Sequence, residues 1–130
     1  MIVVDTSVWI DFFRGRQPIA DRLVELLDTD EVALAVPVRI EILSGGRKTE
    51  IPRLARLLGA LPLFSPTDAT WHRIETWVVH GGAAGQRFGI GDLLVAGIAA
   101  ENDCALWSLD HDFSRMARLG FVTLFDGART

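Results

Sequence analysis

The sequence predicts an α/β fold: a central, mostly parallel five-stranded sheet flanked by helices on both faces. Two observations carry that expectation. Short apolar β-type runs alternate with helical patterns along the chain, the signature of a parallel sheet covered by helices. The opening run, Met1-Ile2-Val3-Val4, ends in the carboxylate of Asp5, and strand carboxyl ends are where open α/β sheets place their active sites.

The elements follow in order. Strands are expected at 2–5, 32–36, 61–64, 105–107 and 121–124, and helices at 6–14, 19–28, 38–44, 51–59, 67–79, 91–101 and 112–118. Thr6 or Ser7 can cap the first helix, and Gly15 and Pro18 separate it from the second. Pro37 suits the first turn of a short helix that Gly45-Gly46 ends. Thr67-Asp68 precede a helix whose apolar stripe is Trp71, Ile74, Trp77 and Val78. Leu93, Leu94, Val95, Ile98, Ala99 and Ala100 are apolar almost all round, so that helix is expected to lie buried against the sheet. The glycine-rich segment 80–91 between these two helices reads as a mobile loop.

A chain of 130 residues fits one domain, 1–130, and can bury roughly 65–70% of its unfolded surface, enough for an independent core. Apolar content of 49% argues against disorder. No apolar stretch approaches the ~20 residues that span a bilayer, and no basic segment precedes an apolar one at the amino terminus. A lone cysteine, Cys104, excludes an internal disulfide and is compatible with a reduced cytoplasm. The net charge of −4 by itself counts against a nucleic-acid partner. Yet setting aside four acids that share one site leaves acidic and basic residues equal in number, so the deficit can be local.

Those four are Asp5, Glu41, Asp92 and Asp110, each at or near a strand–helix junction. Each also has a structural reading. Asp5 could be a helix cap, with Thr6 and Ser7 either sharing that task or orienting its carboxylate. Glu41 shares a helix face with Val38 and is expected to be partly shielded from water. Asp92 could cap the buried helix, and Asp110 or Asp112 could serve only the turn around His111. Asp112 is the second choice there, as a weaker ligand, a water positioner or the cap of the following helix. Together the acids make a stronger case. Two bare carboxylates ~4 Å apart repel by ~4 kcal/mol at an effective dielectric near 20. A cluster of them calls for a divalent ion, and all-oxygen donors select Mg²⁺ or Mn²⁺.

Four segments carry a resemblance. They are Ile2-Val3-Val4-Asp5-Thr6-Ser7-Val8-Trp9-Ile10, Arg39-Ile40-Glu41-Ile42-Leu43-Ser44-Gly45, Gly91-Asp92-Leu93-Leu94-Val95-Ala96-Gly97-Ile98-Ala99-Ala100 and Leu106-Trp107-Ser108-Leu109-Asp110-His111-Asp112-Phe113. In this order they resemble PIN-domain proteins, most closely VapC-type toxins of VapBC toxin–antitoxin modules. The resemblance implies a PIN-like fold and a Mg²⁺- or Mn²⁺-dependent endoribonuclease, homodimeric, cytoplasmic and held inactive by a VapB-type antitoxin. It assigns Asp5, Glu41, Asp92 and Asp110 as catalytic acids, with Asp5, Asp92 and Asp110 on the metal. Thr6, Ser7, Ser108 and Asp112 become accessory residues, Ser108 standing where many relatives have threonine.

Substrate contacts are expected from Arg87 in the glycine-rich segment and from Arg47 and Lys48, which open a basic stretch that includes Arg53 and Arg56. Trp9, Phe12, Phe13, Leu23, Leu26 and Leu27 are expected to be core, with part of their surface a groove for an antitoxin tail. Trp71 and Trp77 are expected to pack internally, a dimer seam being the alternative. A rival function remains open: a PIN-like module that binds RNA or protein without cleaving. The histidines are too dispersed for zinc, and the glycine-rich segment lacks the ending of an NTPase phosphate loop.

Overall fold

A computed structural model describes residues 1–127. Its elements are β1 (Ile2–Val4), α1 (Thr6–Phe13), α2 (Ile19–Asp28), β2 (Val32–Ala35), α3 (Val36–Gly45) and α4 (Ile51–Gly59), followed by β3 (Leu63–Phe64), α5 (Asp68–Ala83), α6 (Ile90–Glu101), β4 (Ala105–Trp107) and α7 (His111–Arg118). Helices flank a parallel sheet, as expected. The sheet order is β3-β2-β1-β4. Every residue of β1 and β2 is buried, which explains why both read as unbroken apolar runs.

The sheet has four strands, not five. The segment expected as a fifth strand makes one parallel bridge, Leu106 to Leu124, held by Leu106 N–H to the Thr123 carbonyl and Phe125 N–H to the Leu106 carbonyl (2.9 and 2.8 Å). Pairing stops there because Phe121, just after the left-handed turn at Gly120 (φ 80°), turns inward and stacks on Trp77 at 4.7 Å. Other boundaries moved too: α3 begins two residues early at Val36 and β3 two residues late at Leu63. α5 runs on to Ala83 and α6 begins at Ile90, so the glycine-rich loop shrinks to residues 84–89.

The first helix is preceded by Asp5 at its N-cap, whose side chain does not cap; Thr6 and Ser7 already lie inside the first turn. Thr67 does cap α5, exchanging side-chain and backbone hydrogen bonds with Thr70. The buried stripe of α5 is Thr70, Ile74, Trp77 and Gly81. Trp71 and Val78 lie roughly 80° round the helix from that stripe, at 100° per residue, and both are exposed (Trp71 by 43%). Trp77 therefore packs as expected and Trp71 does not. α6 meets α5 closely: a Cβ on Gly97 would come within 3.1–3.2 Å of Ile74 and Thr70 side-chain atoms. Among the described residues no helix is long and apolar enough to cross a membrane.

Candidate active site

Strand order alone creates a crevice. The chain moves from β1 outward to β2 and β3, then returns so that β4 lies on the other side of β1. Helices that follow β1 and β4 thus diverge, and open α/β sheets bind ligands at such a switch point. The register pairs Val4 with Trp107, the last residues of the two strands. The next residues, Asp5 and Ser108, are therefore neighbours across the crevice.

Hydroxyl groups hold Asp5 there. Ser108 Oγ donates to Asp5 Oδ2 at 2.8 Å and Ser7 Oγ donates to the same oxygen at 3.0 Å. These serines in turn accept from the Asp110 and Leu109 backbone N–H groups, each at 3.0 Å, which pins the turn after β4. Asp5 is buried, 8% exposed. Both hydroxyl bonds fall on Oδ2, so lone-pair capacity remains on Oδ1. Thr6 is placed differently. Its Oγ1 is buried without a partner, and the residue lines an open groove of about 680 Å³ beside Glu41.

Asp92, Asp110 and Asp112 come together: one carboxylate oxygen from each lies within 4.8 Å of the others. Two helix N-termini, those of α6 and α7, supply the frame. Asp110 is the N-cap of α7, accepting from Asp112 N–H at 2.9 Å, while Asp112 and Asp92 stand in the first turns of α7 and α6. N-terminal helix dipoles favour carboxylates at each of these positions. Asp92 is not a cap, since Gly89 occupies that place.

Burial and neighbouring charge make one carboxyl of this cluster harder to ionise. Burial, then the charge of Asp110, a hydrogen bond with Asp112 and the charges of Asp112 and Asp5 raise the Asp92 carboxyl from 3.8 to about 6. Asp112 moves the other way, held below the usual carboxylate range chiefly by its hydrogen bond to Arg115. That bond is 2.8 Å long. Of the two, Asp92 is therefore the carboxyl that keeps its proton to the higher pH.

Glu41 sits farther out. It lies six residues past the end of β2, roughly 9 Å along α3 at 1.5 Å per residue, and it is exposed rather than shielded by Val38. Arg47 and Lys48 occupy the α3–α4 turn, exposed, with Arg47 paired to Glu50 at 3.8 Å. Arg87 is exposed in the 84–89 loop that leads into α6. Sequence reading missed Arg115, although its spacing three residues after Asp112 on a helix is the ion-pair spacing that could have revealed it.

A profile of the PIN domain matches residues 2–119. The chain belongs to the PIN-domain family. This PIN domain is 32% identical over 128 residues to Ribonuclease VapC11 of Mycobacterium tuberculosis, spanning 92% of this chain and 93% of that protein. Ribonuclease VapC10 of the same organism is 29% identical over 85% of this chain and 83% of its own. Among solved structures, VapBC-1 from nontypeable Haemophilus influenzae superposes with a TM-score of 0.79 at 20% identity, covering 99% of this PIN domain and all of that chain (100%). VapBC2 from Rickettsia felis, bound to a DNA fragment from its promoter, gives 0.77 at 18% identity over 96% and 98%. These structural likenesses establish the fold that the PIN domain shares with them.

Proposed function

We propose that this chain, acting as one PIN domain, is the toxic endoribonuclease of a type II toxin–antitoxin module, hydrolysing RNA phosphodiester bonds with Mg²⁺ or Mn²⁺. The observation that carries this reading is the convergence of Asp92, Asp110 and Asp112 beside Asp5 at the switch-point crevice. The same neighbouring charges that help raise Asp92 to about 6 would be offset by a cation bound among them.

The residues suit such an ion. The donor set is all carboxylate, without imidazole or thiolate, which favours a hard divalent cation. Asp92 and Asp110 would hold it, with Asp5 and Asp112 completing the carboxylate ring. A bound ion supplies a lowered pKa for the attacking water and offsets charge growing on the phosphate. Ser7 and Ser108 orient Asp5 by donating to it. Glu41, which lines the groove beside Thr6, would accept the proton of the attacking water if substrate bridges the groove and the acidic cluster. Arg87 in the 84–89 loop and Arg47 and Lys48 in the α3–α4 turn would contact RNA phosphates.

The deciding experiment is RNA cleavage by purified protein with Mn²⁺ or Mg²⁺. Cleavage is expected, with EDTA and Asp5→Asn each abolishing it. Cleavage by Asp5→Asn at the wild-type rate would remove the site assignment, and no cleavage under any metal condition would favour the non-catalytic binding module.

Partners follow from two surfaces. The groove beside Glu41 is walled by α1, α3 and α4, with Ile10, Phe13, Leu54 and Leu57 presenting apolar surface and Arg14, Glu50 and Arg53 presenting charge. It is our candidate for the VapB-type antitoxin tail. It includes Phe12 and Phe13 but no part of α2, whose Leu23 and Leu26 are core. Exposed Trp71, Val78 and Val79 on α5 are the candidate seam of a homodimer in the cytoplasm. Leu57→Glu is expected to lose co-purification with the antitoxin while staying dimeric, and Trp71→Glu to become monomeric by ultracentrifugation while keeping the antitoxin. Unchanged behaviour of either variant removes that surface from the account.

A further inference from the structure

One side chain joins the acidic cluster to the 84–89 loop. Arg115, on α7, donates through Nη2 to Asp112 Oδ1 at 2.8 Å and through Nη1 to Gln86 Oε1. The same two nitrogens donate to the Arg87 carbonyl at 3.4 and 3.3 Å. The guanidinium carbon lies 4.5 Å from the centre of the Phe88 ring, the range of a cation–π contact. Phe88 is itself anchored, edge-on to Phe121, and Gln86 N–H is held by the Gly81 carbonyl at the end of α5 at 2.8 Å. A chain of contacts thus runs from α5 through residues 86–88 and Arg115 to Asp112, and through Asp112 to Asp92.

We infer that Arg115 is a positioning residue of this site: its planar fork aims Asp112 at Asp92 and Asp110 and fastens the 84–89 loop, with Arg87, to the same point. The chemistry requires arginine. Only a planar, multi-donor head can serve a carboxylate, an amide oxygen and a backbone carbonyl while stacking on a ring. A lysine ammonium keeps the charge but cannot span all four partners.

Charge and geometry predict opposite results, which makes the inference testable. By Coulomb's law alone, a cation beside the cluster repels a divalent ion, so removing it should tighten metal binding. If Arg115 positions Asp112, removing it should loosen metal binding, because the carboxylate and the loop lose their shared anchor. The inference rests on the metal-site reading above, and the experiment separates the two.

Full-length wild type, Arg115→Gln and Arg115→Lys would be titrated with Mn²⁺ by calorimetry, and amide hydrogen exchange followed over residues 84–89. Circular dichroism would verify that both variants fold. Both substitutions are expected to weaken Mn²⁺ binding by about 10-fold, the low end for groups that orient metal ligands. Both should also speed exchange in the loop. Arg115→Gln binding Mn²⁺ as tightly as wild type or more so, or Arg115→Lys matching wild type, overturns the inference. If wild type binds no Mn²⁺, the metal-site reading falls instead, and loop exchange alone decides Arg115: unchanged protection in both variants overturns it, faster exchange sustains the anchor.

Discussion

Asp92→Asn is expected to lower RNA cleavage more than about 100-fold, beyond the range for residues that only orient a ligand, and yet to stabilise the divalent-free protein at neutral pH. The stabilising half follows from the raised carboxyl. An unfolded Asp92 releases its proton near 3.8 and the folded one near 6. Between those values the native state binds more protons, so stability declines as pH rises from about 4 to about 6 and stays reduced above. At 1.36 kcal/mol per pH unit the shift has an upper bound of about 3 kcal/mol, reduced by solvent screening because Asp92 is only partly buried. Asn carries no charge and can still donate one hydrogen bond to Asp112, so it should recover part of this at pH 7–8 in EDTA. Asp112 contributes in the opposite sense. Its lowered carboxyl stabilises the fold above its unfolded value, and that contribution is lost as pH falls through the folded one.

Thermal denaturation across pH 4–8, with and without Mn²⁺, checks the whole pattern. Wild type should gain from Mn²⁺ because the ion binds only the native state, whereas Asp92→Asn should not. The order of stability then reverses on adding metal. An Asp92→Asn protein less stable than wild type in EDTA at pH 8 would show that the cluster is not under charge strain.

Trp9→Ala is expected to cost about 3–5 kcal/mol, a large part of the 5–15 kcal/mol typical of a domain. Trp9 is fully buried, edge-on to Phe12 at 5.8 Å and stacked with Phe13 at 5.9 Å. It anchors α1, whose first residues position Asp5, Thr6 and Ser7. Its Nε1–H is buried with no hydrogen-bond partner, a group whose desolvation costs about 1–3 kcal/mol. Trp9→Phe removes that orphan along with some volume, so its net loss should stay below about 2 kcal/mol. Urea midpoints compare the three proteins. A loss under ~1 kcal/mol for Trp9→Ala would mean that the ring does not hold the helix in place.

Much of the scaffold was legible because parallel strands buried on both faces leave a one-dimensional trace. Val32–Ala35 and Ile2–Val4 are apolar without alternation, and punctuation by Pro37, Gly46 and Thr67 marked helix ends within a residue or two. Where reading failed, a tertiary contact overrode a local pattern. Phe121 looked like the start of a strand, but stacking on Trp77 turned it inward and left one bridge. Trp71 looked like part of an apolar stripe, but α6 approaches at Gly97 and selects Thr70 and Ile74 as the buried side. Glycines at 81 and 82 suggested a loop, yet Gly81 sits inside α5, where a Cβ would approach the Gln86 carbonyl to 3.3 Å.

Sequence alone determined which acids could matter, because a carboxylate directly after an apolar strand run must emerge at one edge of the sheet. That logic located Asp5 and Asp110, and helix-start chemistry located Asp92. How close they stand was beyond it. Separation depends on strand order and helix direction, and these put Asp112 with Asp92 and Asp110 while leaving Glu41 out along α3. The arginine that ties Asp112 to a loop 28 residues away was invisible for the same reason: hydrogen bonds between distant segments exist only once packing brings the segments together.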